Sequence, residues 1–133
     1  MTAAVADFRP SNVAENKIKK QEGVPDVALE ATTDILREIA MRRTEFQTIV
    51  GFAAETTDLH AAASQKLQEK NLDLVVANDV SEEGAGFAAE TNRVTILDKS
   101  GRVSVTSLVS KRTVATEIWD HVARLRGLAV EGS

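Results

Sequence analysis

Residues Gln47–Ala77 read QTIVGFAAETTDLHAAASQKLQEKNLDLVVA, and this stretch decides the fold. Its first apolar run, Gln47–Val50, and its last, Leu72–Ala77, have the length and β-branched content of strands. The second is apolar at nearly every position, as a strand buried on both faces would be. Between them, Leu59–Lys70 sets Leu59, Ala62, Ala63 and Leu67 at helical spacing. Strand, helix and strand in this order form a βαβ unit, whose crossover is right-handed and whose strands run parallel. Ligands of such sheets bind at the carboxyl ends of the strands. Three segments are expected just past strand ends and so on one edge of the sheet: Asp7-Phe8-Arg9, Gly51–Glu55 and Asn78-Asp79.

Outward from this core, Thr2–Ala6 reads as a strand ending at Asp7, and Phe8–Gly23 as a loop carrying the basic run Lys17-Ile18-Lys19-Lys20. Asp26–Glu30 is a short strand candidate. Thr33–Arg43 is a helix with Ile35, Leu36, Ile39 and Ala40 inward, Thr33 as N-cap and Asp34 favourable in the first turn. Val94–Leu97 and Arg102–Leu108 flank the turn Asp98-Lys99-Ser100-Gly101, a hairpin. Lys111–Arg126 closes the chain as a helix with the stripe Val114, Ile118, Val122 and Leu125. The class is α/β, a Rossmann-like sheet with a parallel βαβ core, flanking helices and a C-terminal hairpin plus helix. The abrupt apolar start predicts an incomplete domain, the C-terminal part of a larger unit spanning 1–133 here.

Composition narrows the function. The chain has 133 residues, no cysteine, a net charge of −4 and 4% aromatic residues. Without cysteine there is no disulfide framework, zinc thiolate site or thiol nucleophile. Acidity and few aromatics argue against a nucleic-acid partner. No apolar run is long enough to span a membrane, and a cytoplasmic location is the default.

The hexapeptide GFAAET occurs at Gly51–Thr56 and again at Gly86–Thr91. The first copy follows an apolar run, whereas the second follows an acidic stretch and leads into a strand. A structural repeat repeats its hydrophobic pattern, so the second copy reads as coincidence.

Neither GxxxxGK[ST] nor GxGxxG is present. Lys17, Lys19 and Lys20 fit either a solvated charge run or a flap that brings a cation to a phosphate. Lys66 and Lys70 lie one turn apart on one helix face. Such a pair is ordinary on a surface, and it also suits the clamping of a polyphosphate. Asp7, Glu55 and Asp79 are either Mg²⁺ partners or turn and cap residues. His60 and His121 are expected on helix surfaces, and Trp119 in packing.

Four strings in order carry a resemblance: AAVADFRP (Ala3–Pro10), KIKK (Lys17–Lys20), VGFAAET (Val50–Thr56) and KNLDLVVANDVS (Lys70–Ser81). Together they resemble the C-terminal half of bacterial phosphopantothenoylcysteine synthetase, the phosphopantothenate–cysteine ligase of coenzyme A biosynthesis. That domain is often fused behind a flavin-dependent decarboxylase, so FMN would enter only with such an upstream domain. The resemblance implies CTP-dependent joining of phosphopantothenate to cysteine through an acyl-cytidylate, with Mg²⁺ and CTP as co-substrate. It implies that Ala3, Ala4 and Asp7 contact the nucleotide and that Lys17 is the catalytic flap lysine. It further implies that Phe52 helps form the cytosine pocket and that Lys66 and Lys70 hold CTP. Thr33, Asp34, Ile35 and Leu36 would add contacts, although Thr32-Thr33 stands where the family commonly has Asn-Pro. A homodimer or higher oligomer is implied, retained through the hairpin. The family's glycine-rich phosphate loop and conversion asparagine belong to a preceding half. The expectation is therefore that this chain alone is inactive and its parent active. A non-catalytic nucleotide-binding or dimerisation module is the alternative.

Overall fold

The computed structural model describes residues 5–18, 26–81 and 89–130. The chain forms two compact units, Met1–Ile35 and Leu36–Ser133. In the first, β1 (Phe8–Pro10) pairs antiparallel with β2 (Leu29–Ala31), Phe8 opposite Ala31 and Pro10 opposite Leu29. Bonds from Ser11 N to Ala28 O and from Thr32 N to Asp7 O, each 2.9 Å, flank this ladder. The expected loop at Phe8–Gly23 therefore opens with a strand. Its tertiary partner lies some twenty residues away, where local sequence gives no sign of it. The strand expected at Thr2–Ala6 falls outside the described residues as far as Ala4, and Val5 and Ala6 are exposed without regular structure.

The second unit is mixed α/β. Helix α1 (Ile35–Arg42) precedes β3 (Val50–Glu55), α2 (Leu59–Glu69) and β4 (Leu74–Asp79). Then come β5 (Thr91–Asn92), β6 (Val94–Asp98), β7 (Val103–Val105), β8 (Val109–Ser110) and α3 (Lys111–Leu125). The main sheet has the order β3-β4-β6-β7, with β3 and β4 parallel and the other pairs antiparallel. The βαβ unit read from the sequence is thus present, and the hairpin completes the same sheet. A second pair, β5 with β8, joins the N-terminal side of α3.

Two apolar layers hold this sheet. On one face Ala53, Val75, Ala77 and Leu97 pack with Ala40 of α1 and Ala63 of α2, backed by Leu36, Leu59 and Leu67. On the other, Leu74, Val76, Val94 and Ile96 meet Val114, with Ile118, Val122 and Leu125 of α3 against them. Each fully buried aliphatic side chain contributes roughly 1.5–3 kcal/mol. All three helix stripes match the periodicity, except that Ile39 is exposed.

Caps fix the helices. Asp58 takes a left-handed conformation, φ 44°, and its carboxylate accepts from Ala61 N at 3.2 Å. Ser110 Oγ accepts from Thr113 N at 3.1 Å and starts α3. In the hairpin turn, Asp98 Oδ1 accepts from Ser100 N at 2.8 Å and Arg102 N at 3.1 Å. Gly101 follows at φ 85°, where a Cβ would be strained.

Candidate nucleotide site

The first GFAAET copy was expected as a loop after a strand; it is the strand. Val50–Glu55 pairs residue for residue with Leu74–Asp79. Gly and Ala have little intrinsic strand preference, which hid this from local reading. Packing overrides propensity here: a Cβ built on Gly51 would lie 2.5 Å from Leu72 Cδ1 and 3.5 Å from Leu36 Cδ2. Glycine therefore lets the strand pass beneath two leucines. Ala53 is buried on the same face, and Phe52 and Ala54 point to the other and are exposed, Phe52 at 66%.

Alternation along β3 also sorts its carbonyls. Ile49 O accepts from Asp73 N and Glu55 O from Val80 N, so the odd-numbered carbonyls face β4. The Phe52 carbonyl points the other way, toward an edge that pairs with no strand among the described residues. Lys66 Nζ donates to it at 3.4 Å. An ammonium group from α2 thus reaches the main chain at the open edge of β3, at the residue whose exposed ring points to the opposite face.

The Gly51–Glu55 segment, expected just past a strand end, thus lies within the strand. In a βαβ crossover the helix runs antiparallel to its strands, so Lys66 and Lys70 approach the beginning of β4, away from the carboxyl edge. Lys70 sits at the C-terminal cap of α2, about 6 Å further along the axis than Lys66. At the carboxyl edge itself the register places Glu55 beside Asp79 and Ala54 beside Asn78. Asn78 Oδ1 is buried without a hydrogen-bond partner.

The remaining candidates belong largely to the first unit. Ala3 and Ala4, with Lys19 and Lys20, lie outside the described residues. Asp7 is exposed and its carbonyl takes the Thr32 bond. Lys17 is exposed between β1 and β2. Thr33 and Asp34 are exposed and precede α1, which begins at Ile35. Leu36 directs its side chain into the core. Among the described residues no group of three or more His, Cys, Asp or Glu side chains could hold a metal ion.

Two expectations about aromatic and imidazole groups are overturned. His121, expected on a helix surface, is 2% exposed, and Trp119, expected in packing, is 71% exposed. The signal was present: His121 follows Val114 by seven residues and precedes Leu125 by four, which places it inside the inward stripe. Trp119 sits off that stripe. Burial, then the nearby Arg124 charge, pushes the His121 pKa below its ordinary value.

A second buried polar centre escaped the sequence reading. Asp73, 3% exposed, accepts from Arg43 Nη1 at 2.7 Å, Ile49 N at 2.9 Å and Lys99 Nζ at 2.6 Å. Burial alone would raise its pKa. The bonds from Lys99 and Ile49, with both cationic charges, outweigh it and hold the carboxyl below the ordinary range. Its partners come from the end of α1, the approach to β3 and the hairpin turn, separations that no local motif marks. It lies at the opposite end of β4 from Asn78 and serves the fold.

A mixed α/β domain built on a parallel βαβ pair is the class these features define. The chain belongs to the family of DNA/pantothenate metabolism flavoprotein C-terminal domains, which matches residues 1–125. It is 50% identical over 124 residues to the coenzyme A biosynthesis bifunctional protein CoaBC of Bacillus subtilis (strain 168). That match covers 93% of this chain and 30% of the relative, so the chain spans less than a third of its length. The crystal structure of the C-terminal domain of a coenzyme A biosynthesis bifunctional protein CoaBC is also similar, with TM-score 0.70 and 36% identity. It covers 95% of this chain and 53% of that one. A Cab2 mutant in complex with phosphopantothenate-cysteine has the same fold at TM-score 0.64 and 20% identity, covering 95% of this chain and 44% of its own.

Proposed function

We propose that this chain supplies part of the nucleotide site of a CTP-dependent phosphopantothenate–cysteine ligase acting in coenzyme A biosynthesis. The observation that carries the proposal is the Phe52–Lys66 pair. The Phe52 ring is open for stacking, and Lys66 of α2 reaches the backbone carbonyl of that same residue, on the strand whose string resembles the ligase's nucleotide segment. The relationship to a coenzyme A biosynthesis protein at 50% identity supports the pathway.

The chemistry proceeds in two displacements. The phosphopantothenate carboxylate forms a bond to the α-phosphorus of CTP as the bond to pyrophosphate breaks. The cysteine amine then forms the amide at the activated carbonyl, CMP leaves with the carbonyl–oxygen bond pair, and the amine proton passes to solvent. Activation is needed because a carboxylate oxygen is a poor leaving group and CMP a good one. Lys17, on its exposed loop, neutralises charge that grows on the reacting phosphate. Lys66 and Lys70 bind the phosphates as compact cations, and Phe52 stacks on the base. The resemblance also assigns nucleotide contacts to Asp7, Ala3 and Ala4 and to the Thr33–Leu36 segment.

Mg²⁺, which the resemblance implies, would be held by phosphate oxygens together with one or two carboxylates such as Glu55. Its charge would polarise the phosphates that the lysines bind. FMN belongs to an upstream decarboxylase where one is fused. The test is pyrophosphate release by the full-length protein with CTP, phosphopantothenate and cysteine. A single burst of release with CTP and phosphopantothenate alone, continuous release once cysteine is added, and a fall of at least tenfold in Lys66→Ala, chiefly through KM for CTP, are expected. Saturable CTP binding without pyrophosphate release would instead make this a non-catalytic module.

A further inference from the structure

One residue closes the base of the β1–β2 ribbon. Continuing the register past the Phe8–Ala31 pair brings Asp7 opposite Thr32. There the Thr32 N–H donates to Asp7 O at 2.9 Å, and the Thr32 hydroxyl donates to Ala6 O at 2.5 Å. Consecutive carbonyls of an extended strand point to opposite sides, so one residue does not ordinarily reach both. Thr32 reaches both because the chain bends at Asp7. Its hydroxyl bond crosses 26 residues of sequence and holds that bend from the other strand.

Thr32 therefore joins two segments to which the resemblance gives nucleotide contacts. Asp7 is one of its bonding partners, and Thr33-Asp34-Ile35 follows it directly in sequence. The Asp7 side chain is exposed, so its direction is set by the main chain that carries it. That main chain is the bend to which Thr32 is bonded on both carbonyls.

We propose that Thr32 is a positioning residue of the nucleotide site, whose two bonds hold the Asp7 carboxyl group and the Thr33–Ile35 main chain in one arrangement before CTP arrives. This rests on the proposed ligase function. Thr32 acts through these neighbours and not by contact with the reacting phosphate. Preorganisation lowers the ordering cost of binding, so its effect falls on the affinity for nucleotide and leaves the bond-making step alone.

Thr32→Val keeps the branched shape and the N–H and deletes the hydroxyl. Calorimetric titration of the full-length protein with CTP is expected to show Kd raised about fivefold, the worth of one hydrogen bond, at unchanged stoichiometry. KM for CTP should rise with it while kcat stays within about twofold. Thr32→Ser restores the donor and should return both constants. Ser11→Ala deletes the comparable hydroxyl bond to Ala28 O, 3.2 Å, at the other end of the ribbon and should leave Kd unchanged. A merely structural role would instead lower the stoichiometry and kcat. Protein that binds CTP but releases no pyrophosphate removes the ligase function and leaves the Thr32 effect readable in Kd. Unchanged Kd in Thr32→Val, no rescue by serine, an equal rise in Ser11→Ala, or no CTP binding at all overturns the proposal.

Discussion

His121 Nδ1 stands 3.9 Å from Asp98 Oδ2, both residues buried, and that nitrogen has no hydrogen-bond partner. The gap is too long for a hydrogen bond. The pair is therefore a neutral imidazole beside a carboxylate already held by Ser100 and Arg102. Burial would raise the Asp98 pKa, but the hydrogen bonds from Ser100 and Arg102 keep it below the ordinary carboxylate value.

A pH dependence follows from His121. Its folded pKa is lowered, so the unfolded chain binds more protons once pH falls below the ordinary histidine value of about 6.5. Stability is full above that pH and declines as pH drops toward the folded pKa. Arg124, Asp98, Glu117 and Arg102 act on the ring. In His121→Leu the decline between pH 6.5 and 5 should flatten, measured by urea unfolding across a pH series. An identical slope in the variant would show that His121 is not its source.

Asp73 gives a graded series. Asp73→Ala strands Ile49 N and Arg43 and should cost about 2–4 kcal/mol. Arg43→Met, whose side chain is 22% exposed, should cost more than Lys99→Met, whose side chain is 56% exposed and which should lose no more than about 1 kcal/mol. Because the folded Asp73 pKa is depressed, its contribution is present above about pH 4 and is lost as pH falls through the folded value. Chemical denaturation at pH 7 ranks the three. A Lys99 variant as damaging as the Arg43 variant would contradict the burial argument.

Gly51→Ala tests the close approach beneath Leu72. The added methyl meets a buried side chain end at 2.5 Å, and shifting Leu72 should cost about 1–3 kcal/mol. Leu72→Ala in the same background should recover part of that loss, a coupling read from a double-mutant cycle. Strict additivity would remove the steric explanation.

Much of the second unit was legible because its periodicities are clean. LDLVVA is buried throughout, and Val114, Ile118, Val122 and Leu125 face the sheet as their spacing requires. The strand at Val50–Glu55 was placed too early because Gly51, Ala53 and Ala54 carry no local strand signal, and only pairing with β4 explains it. The β1–β2 ribbon and the Asp73 centre depend on contacts across long sequence separations, which composition and spacing do not encode. The candidate site was legible as residue types, but the side of β3 on which Lys66 lies follows from strand register and helix direction.

Trp119, the single tryptophan, offers a simple check on α3. At 71% exposure its fluorescence should be quenched readily by iodide, and Trp119→Ala should change stability by no more than about 0.5 kcal/mol. A loss of several kcal/mol would mean that the ring is packed.

The proposed function turns on cytidylyl transfer to a carboxylate, with Lys17 acting on the reacting phosphate. The most direct measurement is a single turnover of the full-length protein with α-phosphate-labelled CTP and phosphopantothenate, cysteine omitted. Label is expected to accumulate in a phosphopantothenoyl cytidylate, to pass to labelled CMP once cysteine is added, and to fall at least a hundredfold in Lys17→Gln. Label recovered as CDP, the product of attack at the γ-phosphate, or an undiminished cytidylate in Lys17→Gln, would contradict it.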